Sequence, residues 1–382
     1  MTEQVEIKEG LEGVYITRST ICKVDGQQGK LYYRGYKIED LAEKSSYEEV
    51  CFLLLHGKLP NKTELEGFNK KLKAERRISE DLKMLIKKFS SANTLDVLRT
   101  AMSAISYDDN QPYSADETEN IEKAIRIISK TPTIAAAIGR LKQGKEIIEP
   151  DDSLGHAENF LYMLIGSKPD REKSKLMDVM FILHAEHSSN ASTFATLVSC
   201  STLADIYAGV TAGMAALKGP LHGGADEAAI RMMREIGKPE NTETYIEEAL
   251  AGKKKIMGFG HRVYKTYDPR ARILKTYLDK IKVNSGEEIN NFISISLRAE
   301  KMMIEKLGKS HGIWPNVDFF SGPLYLYLGI RTELFDTVFA SARTVGWCSH
   351  VIEYWKNNKL FRPLEEYIGQ LDLGYTSIEE RT

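Results

Sequence analysis

Helical periodicity runs through almost the whole chain after residue 38, and this feature most constrains the fold. Apolar residues recur at three- and four-residue spacing, and residues suited to helix caps, such as Gly57 and Asn93, stand where the pattern stops or starts. Strand character is confined to residues 13–35, where the runs ValTyrIleThrArgSerThrIle and LysLeuTyrTyrArg flank the turn-forming sequence Asp25–Gly29. We therefore predict an all-α protein with a small N-terminal β-hairpin. Helices are predicted near 61–76, 80–89, 94–107, 116–130, 132–142, 156–166, 172–187 and 332–356.

A stretch rich in Ala, Gly, Ser and Thr covers residues 191–217. Small side chains let helices approach closely, so this stretch is predicted to form central helices of the core or of a subunit interface. Lys218-Gly219-Pro220 interrupts it and marks a domain boundary. We predict a large helical domain of residues 1–218 and 323–382, with a small helical domain of residues 219–322 inserted in it. A cleft between two such domains is a common place for a ligand.

Composition excludes several classes of protein. With 382 residues the chain can bury a large core, and its net charge of −2 argues against a general nucleic-acid binder. The four cysteines lack the spacing of a metal finger, which fits free thiols in a reducing compartment. The acidic N-terminus does not resemble a signal peptide, and no apolar run is long enough to span a bilayer. We expect a cytoplasmic protein that does not engage a membrane.

Basic residues crowd the segment 253–272 around His261, with Asp268 as its only acid. The flexible Gly258-Phe-Gly260 turn precedes the histidine, and Pro269 is placed to begin a helix with free N–H donors. This layout suits a small ligand with several negative charges. A solvated basic loop with an incidental histidine is an equally open interpretation.

Three other residues are candidates for chemistry. His222 precedes a helix expected to begin near Ala225, and the positive end of that helix would keep the imidazole neutral. Asp318 is followed by two aromatic residues, whose packing would raise its pKa and make it a better base; a helix cap is the alternative. Arg343 lies in an otherwise apolar helix and needs an anionic partner, which could be a bound carboxylate or an internal salt bridge.

The sequence His184-Ala-Glu186-His187 permits two interpretations. It lacks the H-E-x-x-H pattern and a matching further ligand, so metal binding is not favoured. Presentation of His187 and nearby Ser/Asn donors to an anion fits better. Two alternatives stay open: a metal-dependent hydrolase built on these three residues, and a non-catalytic helical protein that binds nucleotide or nucleic acid through residues 253–272.

Taken together, four motifs resemble the citrate synthase family. LeuHisGlyGlyAla, GlyPheGlyHisArgValTyrLys, AsnValAspPhePheSerGly and SerAlaArgThrValGlyTrp occur in the family's order, and the resemblance extends from TyrArgGly near residue 33 to Arg362-Pro. It implies a two-domain helical fold whose small domain closes over the substrates, in dimers with residues 191–217 at the interface. The implied enzyme is an acyltransferase that condenses acetyl-CoA with oxaloacetate to give citrate and CoA.

The resemblance also implies a role for each matching residue. Asp318 would remove a proton from the methyl group of acetyl-CoA, His222 would stabilise the resulting enol, and His261 would protonate the keto oxygen of oxaloacetate. The residues implied to hold the oxaloacetate carboxylates are His187, Arg270, Arg343 and Arg362, the last from the partner subunit. The segment implied to lie along CoA comprises Lys255, Ile256, Met257, Gly258 and Phe259. No metal and no permanently bound cofactor is expected.

The same catalytic set also occurs in 2-methylcitrate synthases. Propionyl-CoA is longer than acetyl-CoA by one methylene, which a hydrophobic pocket discriminates by only ~1–3 kcal/mol. A 2-methylcitrate synthase, or an enzyme with both activities, is therefore the alternative to a citrate synthase.

Overall fold

The computed structural model describes residues 6–114, 116–282 and 285–381, and helices dominate it, which confirms the predicted all-α class. The α-helices are α1 (Ile38–Lys44), α2 (Tyr47–His56), α3 (Lys62–Ala74), α4 (Glu80–Lys88), α5 (Thr94–Ile105), α6 (Glu117–Lys142), α7 (His156–Ile165), α8 (Arg171–His184), α9 (Ala191–Ser201), α10 (Ile206–Leu217), α11 (Ala225–Ile236), α12 (Thr242–Ala251), α13 (Pro269–Ile281), α14 (Glu287–Met303), α15 (Lys309–His311), α16 (Val317–Tyr327) and α17 (Phe335–Trp355). Within the described ranges, none of these helices is both long and apolar enough to cross a bilayer.

The predicted N-terminal hairpin is present, with one strand shifted. Strands β1 (Cys22–Asp25), β2 (Lys30–Tyr33) and β3 (Tyr36–Lys37) form an antiparallel sheet in that order. The prediction that Val14–Ile21 forms the first strand was wrong, because this segment lies outside the sheet. Near the end of this segment, Thr20 instead donates from its N–H (3.0 Å) and its hydroxyl (2.6 Å) to the Glu353 carboxylate on α17.

Helix α6 is continuous where the sequence predicted two helices. Pro132 lies inside it and removes one backbone hydrogen bond, which normally favours a break. Helix α6 is nevertheless buried along most of its length, with α5, α7 and α17 packed around it. Burial of this apolar surface outweighs one missing hydrogen bond. The two predicted helices therefore merge into one.

The small-residue stretch forms the centre of the main helix group. Helices α9 and α10 pack against each other and against α17, which also contacts α2, α6 and α8. A Cβ on Gly209 would lie 2.2 Å from Cys200 Sγ, and one on Gly213 would lie 2.3 Å from Thr196 Oγ1. Only glycine permits helices to approach this closely, so the predicted close packing of this stretch is present.

A second group of helices packs around α16. Helices α11, α13 and α14 contact it, and α12 packs on α14. A Cβ on Gly322 in α16 would lie 2.4 Å from Ile230 Cγ1 in α11. The domain division at 218/219 and 322/323 stays a prediction. A boundary between Gly322 and Pro323 would cut through α16, because the helix continues past both residues.

Candidate active site

Backbone pairing joins the loop that carries His261 to the segment that leads into Asp318. The Asn316 N–H donates to the Gly258 carbonyl at 3.0 Å, and the Asn316 side-chain amide donates to the Gly260 carbonyl at 3.0 Å. Gly258 has φ +78° and packs so tightly that a Cβ there would lie 2.7 Å from the aromatic residue after Asp318. The two candidate catalytic residues are therefore held on one paired unit, although 57 positions separate them in the sequence.

The His261 ring is fixed as a neutral hydrogen-bond donor. Its Nδ1 accepts from the N–H groups of Val263 (3.0 Å) and Tyr264 (3.1 Å), so the proton of the neutral ring resides on Nε2. Burial, assisted by the nearby Arg270 charge, lowers the pKa of His261 from 6.5 to about 4. At neutral pH the ring therefore offers one N–H, on its Nε2 side.

His222 carries the opposite tautomer. It lies in the loop before α11, and its Nε2 accepts from the Ser192 N–H at 3.3 Å and lies 2.8 Å from the Ser192 hydroxyl. The proton of the neutral ring is therefore on Nδ1. Burial lowers the pKa of His222 to about 4, with a smaller contribution from Arg343. The neutral state of His222 was predicted from the positive end of α11, whereas desolvation by burial is the main cause of the lowered pKa.

Asp318 is a carboxyl group with a raised pKa. It lies in the first turn of α16, and the helix cap is Asn316, whose side chain accepts from the Asp318 N–H at 3.1 Å. The alternative in which Asp318 itself caps the helix was therefore wrong. Desolvation raises the pKa of Asp318 from 3.8 to about 6, against the opposing charges of Arg270 and Arg343.

The charges of two buried arginines act on this carboxyl group. Arg270, in the first turn of α13, donates from Nε (3.1 Å) and Nη2 (2.7 Å) to Asp268, which fixes the direction of its guanidinium. Arg343, in the middle of α17, donates from Nε to the His184 carbonyl at 2.6 Å and lies 4.6 Å over the Phe339 ring. Within the described part of the chain Arg343 makes no ion pair, so the internal salt bridge considered for it is not formed.

His187 completes the cluster beside His261. The two ring centroids are 5.2 Å apart, and His187 Nε2 lies 3.3 Å from the Tyr264 hydroxyl. Burial lowers the pKa of His187 well below 6.5, and the charges of Arg270 and Arg343 act in the same direction. A neutral imidazole with its ring edge near two cations can hydrogen-bond a carboxylate that those cations attract.

Two side chains of the alternative metal site each use one polar atom for another partner. His184 is fully buried, and its Nδ1 lies 2.7 Å from the Met180 carbonyl. Glu186 is also fully buried, and its Oε1 lies 2.9 Å from His350 Nε2. No group of three or more metal-binding side chains occurs among the residues that the structure describes. The arrangement therefore does not support a metal-dependent hydrolase.

Arg362 lies apart from this cluster, whereas the segment 255–259 packs on the residue after Asp318, with the Phe259 and Phe319 ring centroids 4.5 Å apart. Arg362 follows α17 in an exposed tail, where its guanidinium bonds to the carbonyl of the next residue. A single chain therefore does not bring Arg362 to the other candidates. Lys255 is exposed, whereas Ile256 and Phe259 are buried. Backbone groups, rather than these apolar side chains, are what this segment can offer a ligand.

Sequence reasoning missed four residues that orient the candidates. Ser192 sets the tautomer of His222, Asn316 joins the two loops, Asp268 directs Arg270, and Tyr264 contacts both His187 and His261. Tyr264 was detectable in principle, because it lies three positions after His261 in the same motif. Asp268 was detectable as well, because it lies two positions before Arg270, whereas Ser192 and Asn316 act through contacts that the local sequence does not reveal.

Three comparisons place these observations among known proteins. The family profile described as "Citrate synthase, C-terminal domain" matches residues 10–364. The chain is 43% identical to the citrate synthase of Deinococcus radiodurans, over 98% of this chain and 99% of that protein. It is 40% identical to the 2-methylcitrate synthase of Mycobacterium tuberculosis, over 96% and 92%. It also matches the solved citrate synthase of Thermoplasma acidophilum, in ternary complex with carboxymethyl coenzyme A and oxaloacetate, with a TM-score of 0.94 at 35% identity over 98% and 100%.

Proposed function

The chain belongs to the citrate synthase family, and we propose that it condenses acetyl-CoA with oxaloacetate to give citrate and free CoA. One structural observation supports this reaction in addition to family membership. Two imidazoles are kept neutral, with opposite tautomers set by backbone N–H groups, and the loop that carries one of them is paired with the segment that carries a carboxyl group of raised pKa. Enolisation followed by carbon–carbon bond formation requires such a set: one base and two neutral donors.

The first step is removal of a proton from the acetyl methyl group. With a pKa of about 6, Asp318 is ionised at neutral pH and is a stronger base than an ordinary aspartate. The Nδ1–H of His222 donates to the thioester oxygen as negative charge develops there. A neutral donor suits this oxygen, because an imidazolium would release its proton and end the activation too early.

The second step forms the carbon–carbon bond. The enol carbon attacks the keto carbon of oxaloacetate, and His261 donates its Nε2 proton to the oxygen that becomes the hydroxyl group of citryl-CoA. Water then cleaves the thioester, which releases citrate and the CoA thiol and returns the ring and the carboxylate to their starting states. Hydrolysis makes the overall reaction favourable.

The oxaloacetate carboxylates are bound by His187, Arg270 and Arg343. Arg343 supports this assignment, because its buried guanidinium forms no ion pair within the described residues and feels the Glu186 carboxylate only from a longer distance, so a bound anion would stabilise it. Arg270 is held in one direction by Asp268, so it presents a pre-oriented charge. Binding of the dianion between the two helix groups would favour closure of the small domain and exclude water before enolisation.

We propose a homodimer in which Arg362 reaches the partner's oxaloacetate site. The tail that carries Arg362 exposes many large apolar side chains, which is unusual for a free surface. They are Leu360, Leu364, Tyr367, Ile368, Leu371, Leu373, Tyr375 and Ile378. Burial of this tail, together with the outer faces of α9 and α10, against a second copy would cover these side chains and place Arg362 beside another subunit.

The CoA thioester is a substrate, and we propose that its adenosine portion lies along residues 255–259. Lys255 and the two residues just before this segment, Lys253 and Lys254, are exposed cations that can screen the CoA phosphates. The turn at Gly258 leaves backbone groups that can hydrogen-bond the adenine. No bound metal is required by any of these steps.

The proposed location is the cytoplasm. All four cysteines are free thiols, and Cys51, Cys200 and Cys348 are buried. Buried unpaired cysteines are typical of proteins in reducing compartments, which supports the proposal.

Release of CoA thiol from acetyl-CoA, with and without oxaloacetate, tests the function. Wild-type protein is expected to release thiol only when oxaloacetate is present. Asp318→Asn is expected to lower kcat by about 10²–10⁴-fold with little change in oxaloacetate binding, because the general base is lost. Asp81→Asn, at an exposed carboxylate on α4, is the matched control and should retain wild-type kinetics. Equal kcat for Asp318→Asn and Asp81→Asn would overturn the assignment of the base.

Acetyl-CoA is proposed as the preferred thioester. The citrate synthase of Deinococcus radiodurans is 43% identical to this chain, whereas the 2-methylcitrate synthase of Mycobacterium tuberculosis is 40% identical. The preference is tested by the ratio of kcat/KM for acetyl-CoA and propionyl-CoA. A ratio below one would identify the chain as a 2-methylcitrate synthase.

A further inference from the structure

The tip of the N-terminal hairpin packs directly on the loop that follows His261. The carbonyl of Gly26 accepts from the Lys265 N–H at 2.9 Å. A Cβ on Gly26 would lie 2.1 Å from the Val263 carbonyl oxygen, and Gly26 does not adopt a positive φ, so the close approach alone requires glycine there. The contact is thus backbone against backbone, without an intervening side chain that could adjust.

The base of the same hairpin is fixed beside His187. At the end of β2, the buried Tyr33 hydroxyl donates to the Glu186 carbonyl at 2.7 Å and lies 3.2 Å from the Ile182 carbonyl. Next to it, Arg34 donates to the Leu54 carbonyl at 2.9 Å. The hairpin therefore joins the segment before His187 at one end to the loop after His261 at the other.

We propose that this hairpin is a positioning element for the active site, with Gly26 as its contact residue. Its base is fixed beside His187, and its tip holds the loop 262–267 at a set position relative to that residue. In this position the N–H groups of Val263 and Tyr264 both reach His261 Nδ1. The hairpin thereby fixes the tautomer of His261 and its distance from His187. The proposal deepens the proposed function, because it concerns the residue that donates to oxaloacetate.

The expected consequence of disturbing the tip follows from this geometry. A methyl group at residue 26 displaces the Val263 carbonyl, because 2.1 Å is far below van der Waals contact. The loop then moves away from the hairpin, and its N–H groups lose their alignment with Nδ1. His261 becomes free to rotate, to exchange tautomers and to take up a proton. A displacement of about 1 Å at a catalytic group can reduce the rate about 100-fold.

Gly26→Ala tests the proposal, with Gly67→Ala as its matched control. Gly67 lies in α3, and a Cβ there would meet no atom within 4 Å. In Gly26→Ala, kcat/KM for oxaloacetate is expected to fall about 100-fold. The acid side of its pH profile should also become steeper, because both Asp318 and His261 must then lose a proton. Gly67→Ala should match the wild type in both measurements.

A second variant keeps the test decisive if Gly26→Ala fails to fold. Tyr33→Phe removes the hydroxyl that fixes the base and preserves the ring packing; it is expected to lower kcat/KM for oxaloacetate about tenfold and to steepen the acid limb in the same way. Folded variants with the kinetics and pH profile of Gly67→Ala would overturn the proposal. An inactive wild type would instead refute the proposed function, so the two failures are distinguishable.

Discussion

Asp318→Asn is expected to make the protein more stable while it makes the enzyme inactive. The carboxyl group is partly buried among helices α13, α16 and α17, and desolvation raises its pKa from 3.8 to about 6. A group whose ionisation is harder in the folded state than in the unfolded chain destabilises the fold whenever it is ionised. The difference in pKa corresponds to about 2–3 kcal/mol at neutral pH, after allowance for partial exposure. An asparagine of the same shape does not carry this cost.

The pKa difference also determines how the free energy of unfolding depends on pH. Between pH 3.8 and about 6 the folded protein holds a proton on Asp318 that the unfolded chain has lost, so the free energy of unfolding decreases as pH rises through this window. Above pH 6 the cost is fully present, and below pH 4 it has disappeared. The advantage of Asp318→Asn over the wild type should therefore be largest at pH 7.5 and small near pH 4.

Thermal unfolding measures this difference. With an unfolding entropy of about 2.1 cal/mol/K per residue, 2–3 kcal/mol corresponds to a Tm increase of about 3 °C for a chain of this length. The assay compares wild type, Asp318→Asn and the exposed-site control Asp81→Asn at pH 7.5 and pH 4.5. A Tm gain that is absent at pH 7.5, or that is equally large at pH 4.5, would refute the argument that desolvation of this carboxyl group costs stability.

Three further predictions concern the anion site and the assembly. Arg343→Met should weaken oxaloacetate binding at least about 100-fold with little loss of Tm, because within the described residues the guanidinium forms no ion pair that the substitution would break. A large oxaloacetate-induced Tm shift in this variant would contradict the proposed role of Arg343. Asp318→Asn and Arg362→Ala subunits, each impaired alone, should regain thiol release when unfolded and refolded together, because a mixed dimer contains one complete site; no recovery would mean that Arg362 acts within its own chain. Prolonged dialysis against a chelator should leave kcat unchanged. A loss of activity that is recovered by adding metal would count against the proposal that the reaction requires no bound metal.

Local signals in the sequence were sufficient for most helices. Asn93 caps α5 through two backbone N–H groups, Gly57 ends α2 with φ +79°, and Pro269 follows the capping Asp268 at the start of α13. Each of these devices works within four residues, so the sequence reveals it directly. Prediction failed where distant contacts decide the outcome, as at Pro132, whose helix continues because its surroundings bury it.

In the candidate site, as in the fold, the sequence reveals some features and leaves others to distant contacts. The four motifs identify which side chains have the right chemistry, and the pKa of Asp318 is raised by desolvation, in the predicted direction. The tautomers do not follow from the motifs, because they depend on Ser192 and on the loop after His261. Nor could the sequence indicate that Glu186 is engaged by His350, since 164 positions separate the two residues.

The pairing of Asn316 with Gly258 and Gly260 has a consequence for the timing of catalysis. Because it ties His261 and Asp318 to one body, a movement of either segment carries the two side chains together and leaves their spacing unchanged. His222 is anchored elsewhere, on Ser192 at the start of α9. If the proposed closure moves this paired body relative to α9, it would bring the proposed base toward His222, and enolisation would then be confined to the closed arrangement, where solvent protons cannot quench the carbon nucleophile.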